Sequence, residues 1–236
     1  MATELITVLD LDGREEALGV VEAVDVCNWF KIGSQLFTRS GPGIVRDVVG
    51  KGKHVFLDLK FHDIPNTVAQ AAAAAADLDV SLFTLHASGG CKMIEAARNA
   101  IEGTDTRILA VTVLTSLSDR ELRNELGFHE TAAQAVSRLA RLAVDAGAHG
   151  LVCSPLEIGL VREAVGRQAL IVTPGVRPDW ASADDQSRIR TPAQAARAGA
   201  DFVVVGRPIL RHQDPAEAAR LIIAELNQGG NEPNEA

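Results

Sequence analysis

The chain has 236 residues, 47% of them hydrophobic, which is enough to bury a substantial core and suits one large α/β domain. A formal net charge of −8 excludes the broad positive field of a nucleic-acid surface, but it leaves room for a few local cations around an anionic small molecule. Cys27, Cys91 and Cys153 are scattered and form no C-x-x-C pair, a pattern of reduced thiols in a cytosol and not of a disulfide framework.

The first segment, MATELITVLD, carries an acid at position 4 and enters a strand at once, so it lacks the basic start and apolar run of a signal peptide. No apolar run approaches the ~18 residues of a membrane span, and a cytoplasmic location is expected. In chain order, short β-branched runs predict strands over residues 5–11, 29–33, 54–60, 82–87, 107–114, 150–154, 169–175 and 202–208. Their near-continuous hydrophobicity is what strands covered on both faces require. Alanine-rich helical patterns alternate with them. The run Ala71–Ala76 reads as a helix following IPNT, since alanine is the best helix former. Residues 131–147 form a second such pattern. In a third, Thr191 can cap a helix that has Pro192 at its first position and ends at Gly199. The last residues, NQGGNEPNEA, are polar and contain Gly and Pro, and a flexible tail is expected over 229–236.

Two segments echo one another: AVDAGAHGLVCS and AARAGADFVVVGR each read helix, glycine stop, short turn, buried strand. That is the joint of a βα repeat. About eight such units fit the length, so a single (β/α)8 TIM barrel over residues 1–228 is expected, with a doubly wound open sheet as the alternative.

In such a barrel the acting side chains sit at the C-terminal strand ends. Asp10, Lys31, Asp58 with Lys60, Thr115 with Ser116, Arg177, and Gly206 with Arg207 all fall there, so six of the eight strands send a polar group to one rim. Asp58 and Lys60 are two apart and point to one side of a strand, with Lys31 arriving from the neighbouring strand. A carboxylate beside a lysine favours its protonated form, hence an acid or electrostatic role over Schiff-base chemistry. A buried ion pair that only fixes register is the bland alternative. Gly206 and Arg207 after the eighth strand suit a phosphate, and the long polar loop over 173–188 reads as a lid in which Gln186 can donate to a phosphate oxygen. Trp180 in that loop reads as packing. The six histidines show no metal-ligand spacing, and His62 is a minor candidate only because it adjoins the charges. No nucleophile elbow, Walker loop or dinucleotide fingerprint is present.

The motifs FLDLKFHDIPNT (56–67), VTVLTS (111–116), TPGVRP (173–178), DDQSRI (184–189) and VVVGRP (203–208) together resemble orotidine 5′-phosphate decarboxylase of the bacterial type, from Asp10 to about Asp214. The resemblance implies a barrel homodimer with shared active sites that turns orotidine 5′-monophosphate into UMP and CO2 without metal or cofactor. It makes Lys60 the proton donor, sets Asp58 against the substrate carboxylate, and has Lys31 bridge Asp58 and the ribose. It also sends Asp63 and Thr67 to the neighbouring subunit's ribose and places Asp10 on ribose hydroxyls and Thr115 by the pyrimidine. Arg177, Gln186, Gly206 and Arg207 would hold the phosphate. Two rivals remain at this level: a metal-dependent sugar-phosphate decarboxylase or aldolase sharing D-x-K-x-x-D, which EDTA sensitivity would reveal, and an inactive barrel that binds UMP-like ligands.

Overall fold

Eight apolar runs form eight parallel strands, because each is hydrophobic on both faces and must be covered on both. The structure, a computed structural model, describes residues 2–181 and 190–231. In chain order its first half comprises β1 (Glu4–Val8), α1 (Arg14–Ala23), β2 (Trp29–Gly33), α2 (Ser34–Ser40), α3 (Gly43–Gly50), β3 (His54–Phe61), α4 (Pro65–Ala76), β4 (Leu82–His86) and α5 (Cys91–Ala100). Then follow β5 (Arg107–Val111), α6 (Asp119–Asn124), α7 (Ala132–Asp145), β6 (Gly150–Val152) and α8 (Ile158–Val165). The chain closes with β7 (Leu170–Thr173), α9 (Pro192–Arg197), β8 (Phe202–Val205), α10 (Arg207–Leu210) and α11 (Pro215–Asn231). Neighbouring strands pair in sequence order, and β8 returns to β1 with Leu5 opposite Val203, so the sheet is a closed (β/α)8 barrel and not a doubly wound open sheet.

Strand alternation divides the core in two. Ile6, Phe56, Leu82, Leu109, Val172 and Val204 form one cluster inside the barrel. Phe30, Ile32, Leu57, Phe83, Ile108 and Val203 belong to a second cluster shared with the helices. The N-terminal mouth is closed by first residues of strands: Trp29 stacks on His54 at 4.4 Å between centroids, meets Phe202 edge-on at 4.8 Å, and donates to Glu4 Oε2 at 3.0 Å. The opposite mouth is left for the site.

The two echoing segments share more than their glycines. Thr131 and Thr191 each cap their helix through a box with a glutamine three residues on, Gln134 and Gln194. Both helices end on a left-handed glycine, Gly147 at φ +96° and Gly199 at φ +97°, a conformation in which a side chain would be strained.

The strands end earlier than their hydrophobicity suggests. β1 stops at Val8, β5 at Val111 and β8 at Val205. Leu9 N–H still donates to the Lys31 carbonyl at 2.9 Å, but Asp10 already lines the mouth. At the other end of the chain, residues 229 and 230, expected to begin the tail, are helical. Gly229 is buried, and a Cβ there would lie 2.3 Å from the Ala193 carbonyl oxygen, so this glycine allows close packing of α11 on α9 instead of breaking the helix. No helix among the described residues is long and apolar enough to cross a membrane.

Candidate active site

The C-terminal strand ends surround a cleft of about 350 Å3. Asp10, Lys31, Asp58 and Lys60 reach it from β1, β2 and β3 or the turns that follow them. Arg177, Gly206 and Arg207 reach it from beyond β7 and β8, and Phe56, Val113, Leu114, Val152 and Val176 give it apolar lining. Leu114 is 39% exposed, an apolar side chain left open toward a cleft of the size that takes a small ligand.

β3 brings its two charges together by breaking its own regularity. Its pairing with β4 runs Phe56 to Leu82 and Leu57 to Phe83, then resumes only at Phe61 and Leu85, so residues 58–60 bulge opposite Thr84. Lys60 sits in the left-handed region at φ +52°, which costs a non-glycine residue about 1 kcal/mol. Thr84 secures the bulge: its hydroxyl accepts from Lys60 N–H and donates to Asp58 Oδ1, both at 2.9 Å. Lys60 Nζ then lies 2.9 Å from each Asp58 oxygen. The expected pairing of Asp58 with Lys60 holds, but a bulge delivers it in place of simple strand alternation.

Parallel register supplies the rest. Val8 stands opposite Lys31, and Gly33 opposite Asp58, which puts Lys31 Nζ 3.3 Å from Asp58 Oδ2 and 3.4 Å from Asp10 Oδ1. The result is an alternating row, Asp10, Lys31, Asp58, Lys60. Burial works against ionisation of Asp58, yet the charges of Lys31 and Lys60 and the hydrogen bonds from Lys60 and Thr84 outweigh it, holding the carboxyl below the usual carboxylate range. The Asp58 and Lys31 side chains are each 12% exposed and Lys60 is 37% exposed, so of the two ammonium groups Lys60 is the one more open to a bound molecule.

Arg177 is only 6% exposed, and its segment is tied down where Arg177 N–H donates to the Arg190 carbonyl at 2.9 Å beside a bridge between Val176 and Arg190. A Cβ on Gly206 would lie 3.2 Å from Val8 Cβ, so glycine lets the end of β8 close against β1 just where Arg207 begins α10.

Eight of the residues expected at the site thus meet in one cleft: Asp10, Lys31, Asp58, Lys60, Thr115, Arg177, Gly206 and Arg207. Ser116 is not in the lining. Asp63 and Thr67 are exposed at the start of α4 and do not line the cleft of their own chain; Asp63 Oδ1 accepts from Ile64 N–H at 2.6 Å. Gln186 and the middle of the expected lid lie outside the described residues. His62 is exposed, with its ring 5.3 Å from that of His86, and no group of three or more metal-ligating side chains occurs among the described residues. Burial, His62 and Lys60 hold His86 below the usual histidine range, although Asp58 pulls the other way.

Two contributors escaped the sequence. Thr84 shares the inward face of β4 with Leu82, and a polar residue on that face was a usable signal. Gly33 contributes no side chain, but a Cβ there would lie 2.8 Å from Lys31 Nζ and 3.0 Å from Asp10 Oδ1, so its bareness is the space in which that ion pair forms.

Comparison with known proteins gives one consistent result. A model of the orotidine 5′-phosphate decarboxylase / HUMPS family matches residues 3–222. The orotidine 5′-phosphate decarboxylase of Saccharophagus degradans is 49% identical over 227 residues, covering 94% of this chain and 94% of that protein. That of Opitutus terrae is 49% identical over 229 residues, covering 96% and 99%. The crystal structure of orotidine 5′-phosphate decarboxylase from Lactobacillus acidophilus superposes with a TM-score of 0.85 at 38% identity, covering 95% of this chain and 99% of that one.

Two outcomes are expected from the geometry. In Gly33→Ala the atoms displaced are the ends of flexible side chains, so the Tm should move by less than about 4 °C, a change of roughly 1 kcal/mol, while turnover drops at least about tenfold because the row is disrupted. A large Tm loss with proportionate activity would contradict this. For Asp58 the folded-state pKa is depressed, so ionisation contributes stability above the ordinary carboxylate pKa of about 4, and that contribution is lost as pH falls through the depressed value. Thermal melts from pH 7 down to about pH 3 should therefore show wild-type Tm falling relative to that of Asp58→Asn. Parallel curves would refute the shift.

Proposed function

The chain belongs to the orotidine 5′-phosphate decarboxylase / HUMPS family, and we propose that Lys60 is the proton donor of its reaction, the conversion of orotidine 5′-monophosphate to UMP and CO2 that completes de novo UMP biosynthesis. The observation that carries the assignment is the row Asp10, Lys31, Asp58, Lys60, in which the more open ammonium group borders the cleft.

The bond from ring carbon 6 to the carboxylate breaks, CO2 leaves, and the electron pair stays on carbon 6. An ammonium already fixed beside that carbon stabilises the developing charge without reorganisation, and then gives up the proton that completes UMP. Lys60 is left as an amine that regains its proton from water. Asp58 faces the substrate carboxylate in this scheme. Its lowered pKa keeps it charged, so the two carboxylates repel until CO2 departs and the departure relieves the repulsion. Lys31 joins Asp58 to the ribose, Asp10 holds ribose hydroxyls, and Thr115 lies along the pyrimidine, which rests on the apolar lining. Arg177, Arg207 and the Gly206 backbone take the phosphate, with Gln186 assigned to it by resemblance. The groups that act on the substrate in this scheme all belong to the chain, and the reaction we propose uses no metal or cofactor.

The unit we propose is a cytoplasmic homodimer. Asp63 and Thr67 flank Ile64, a large apolar side chain that is 66% exposed, and a surface of that kind fits contact with a second copy of the chain. In that arrangement Asp63 and Thr67 serve the partner's ribose. The exposed free thiol of Cys91 is compatible with a reducing compartment. No contact with nucleic acid or membrane is proposed.

Lys60→Ala should fold normally and lose far more than tenfold in kcat, measured by the absorbance change of orotidylate; retention of more than about a tenth of wild-type kcat, under ~1.4 kcal/mol of barrier, would remove Lys60 from the role. A Lys60→Ala chain mixed with an Asp63→Asn chain tests the shared site. Half of the randomly reassorted dimers are mixed and each has one intact site, so activity should recover to about a quarter of wild type under twofold symmetry. A mixture that exchanges subunits yet stays inactive would confine Asp63 to its own chain.

A further inference from the structure

Trp180 differs from Trp29, which is used up in closing the barrel floor. It follows Arg177 by three residues and is 41% exposed, an aromatic side chain held at the surface. Its ring meets that of His212 edge-on, with centroids 5.5 Å apart and planes at 72°. The indole also lies close enough to Glu225 on α11 to draw that carboxyl's pKa down, although burial outweighs it. His212 follows Arg207 by five residues, just past α10, and its Nδ1 sits 3.1 Å from Asp214 N and 2.7 Å from Asp214 O. Asp214 in turn accepts from Glu217 N–H at 3.0 Å at the start of α11. Trp180 therefore joins the segment that carries Arg177 to a junction fixed by α11, and Arg207 belongs to that junction.

We propose that Trp180 is a positioning residue for phosphate binding: through His212 it braces the Arg177 segment against the α10–α11 junction and so sets the spacing between Arg177 and Arg207. This rests on the assignment of those two arginines to the phosphate. Arg177 leaves β7 through Pro174 and Gly175, and within its own loop its segment is tied by the Val176–Arg190 bridge, the Arg177 N–H to Arg190 carbonyl bond at 2.9 Å and the Ala181 N–H to Pro178 carbonyl turn at 3.0 Å. The contact of Trp180 with His212 reaches across to the elements that hold Arg207. Burial pushes the Glu225 carboxyl above its usual range, against the effect of the Trp180 N–H and with Asp179 adding to it, so the contact is partly withdrawn from water.

The test compares kcat/KM for orotidine 5′-monophosphate with kcat/KM for orotidine, which lacks the phosphate, in wild type, Arg207→Ala, Trp180→Ala and Trp180→Phe. Arg207→Ala should lose activity on the nucleotide alone. Trp180→Ala should show a smaller loss with the same selectivity, about threefold to tenfold, the scale of one aromatic pair, carried mainly in KM. Trp180→Phe, which keeps a ring edge for His212, should recover most of it. If Trp180→Ala fails to fold, Trp180→Leu must show the nucleotide-selective loss. Equal losses on both substrates, or none, with Arg207→Ala still selective, would overturn the brace and leave the phosphate assignment standing. An unselective Arg207→Ala would bring down the phosphate assignment and the brace with it.

Discussion

A carboxylate cannot stay ionised under cover unless cations are held against it, and the mouth of this barrel is organised around that constraint. Asp58 is 12% exposed, and its charge survives because Lys31, Lys60 and the Thr84 hydroxyl converge on two oxygens. Loss of both lysines would leave a buried charge uncompensated, at a cost on the order of several kcal/mol, whereas loss of either one leaves the other in place. The partners come from three neighbouring strands, so the network exists only while β2, β3 and β4 keep register. A slip of one residue in β2 would turn Lys31 out of the barrel. Closure by the pairing of β1 with β8 leaves no free edge along which such a slip could start.

Around this row the cleft separates two tasks. The charged side from β1 to β3 is nearly neutral in sum, with two acids and two lysines, so it does not bind an anion strongly in the ground state. In the proposed scheme, attraction for a phosphate falls to the arginines beyond β7 and β8, which line the same cleft. That division suits a reaction whose charge moves: tight binding of the reactant carboxylate would be lost when CO2 leaves, whereas a grip on a remote phosphate is unchanged through the step and can hold the ring against repulsion.

Much of this was legible in the sequence because it follows from periodicity and chain order. Runs apolar on both faces, glycine stops and the Thr191 cap specify βα units, and charges just beyond a strand's apolar part mark the mouth. What was not legible depended on pairing between distant segments. Nothing local to LFTLHA says that Thr84 will stand opposite a bulge, and nothing in WFKIG says that Gly33 must be bare because Lys31 and Asp10 meet over it. The tail misled for the opposite reason: two adjacent glycines suggest fraying, but Gly229 is set against the Ala193 backbone, a contact 36 positions away that propensity cannot see.

The bulge in β3 is where strain and purpose coincide. Two non-glycine residues among those described have positive φ, Asp79 in the turn before β4 and Lys60. An aspartate tolerates that conformation in a turn, but a lysine gains nothing locally from it. The strain persists because Thr84 binds both the Lys60 amide and the Asp58 carboxylate, so relaxing the backbone would break two bonds and separate the ion pair. The same bulge shifts the register by which the chain leaves β3 for α4, and therefore sets where residues 63–67 emerge at the surface. One irregularity thus fixes the proposed proton donor in its own barrel and directs the segment proposed to reach the partner's. Straightening β3 would disturb both, and for that reason a regular strand, though more stable locally, would be the wrong one here.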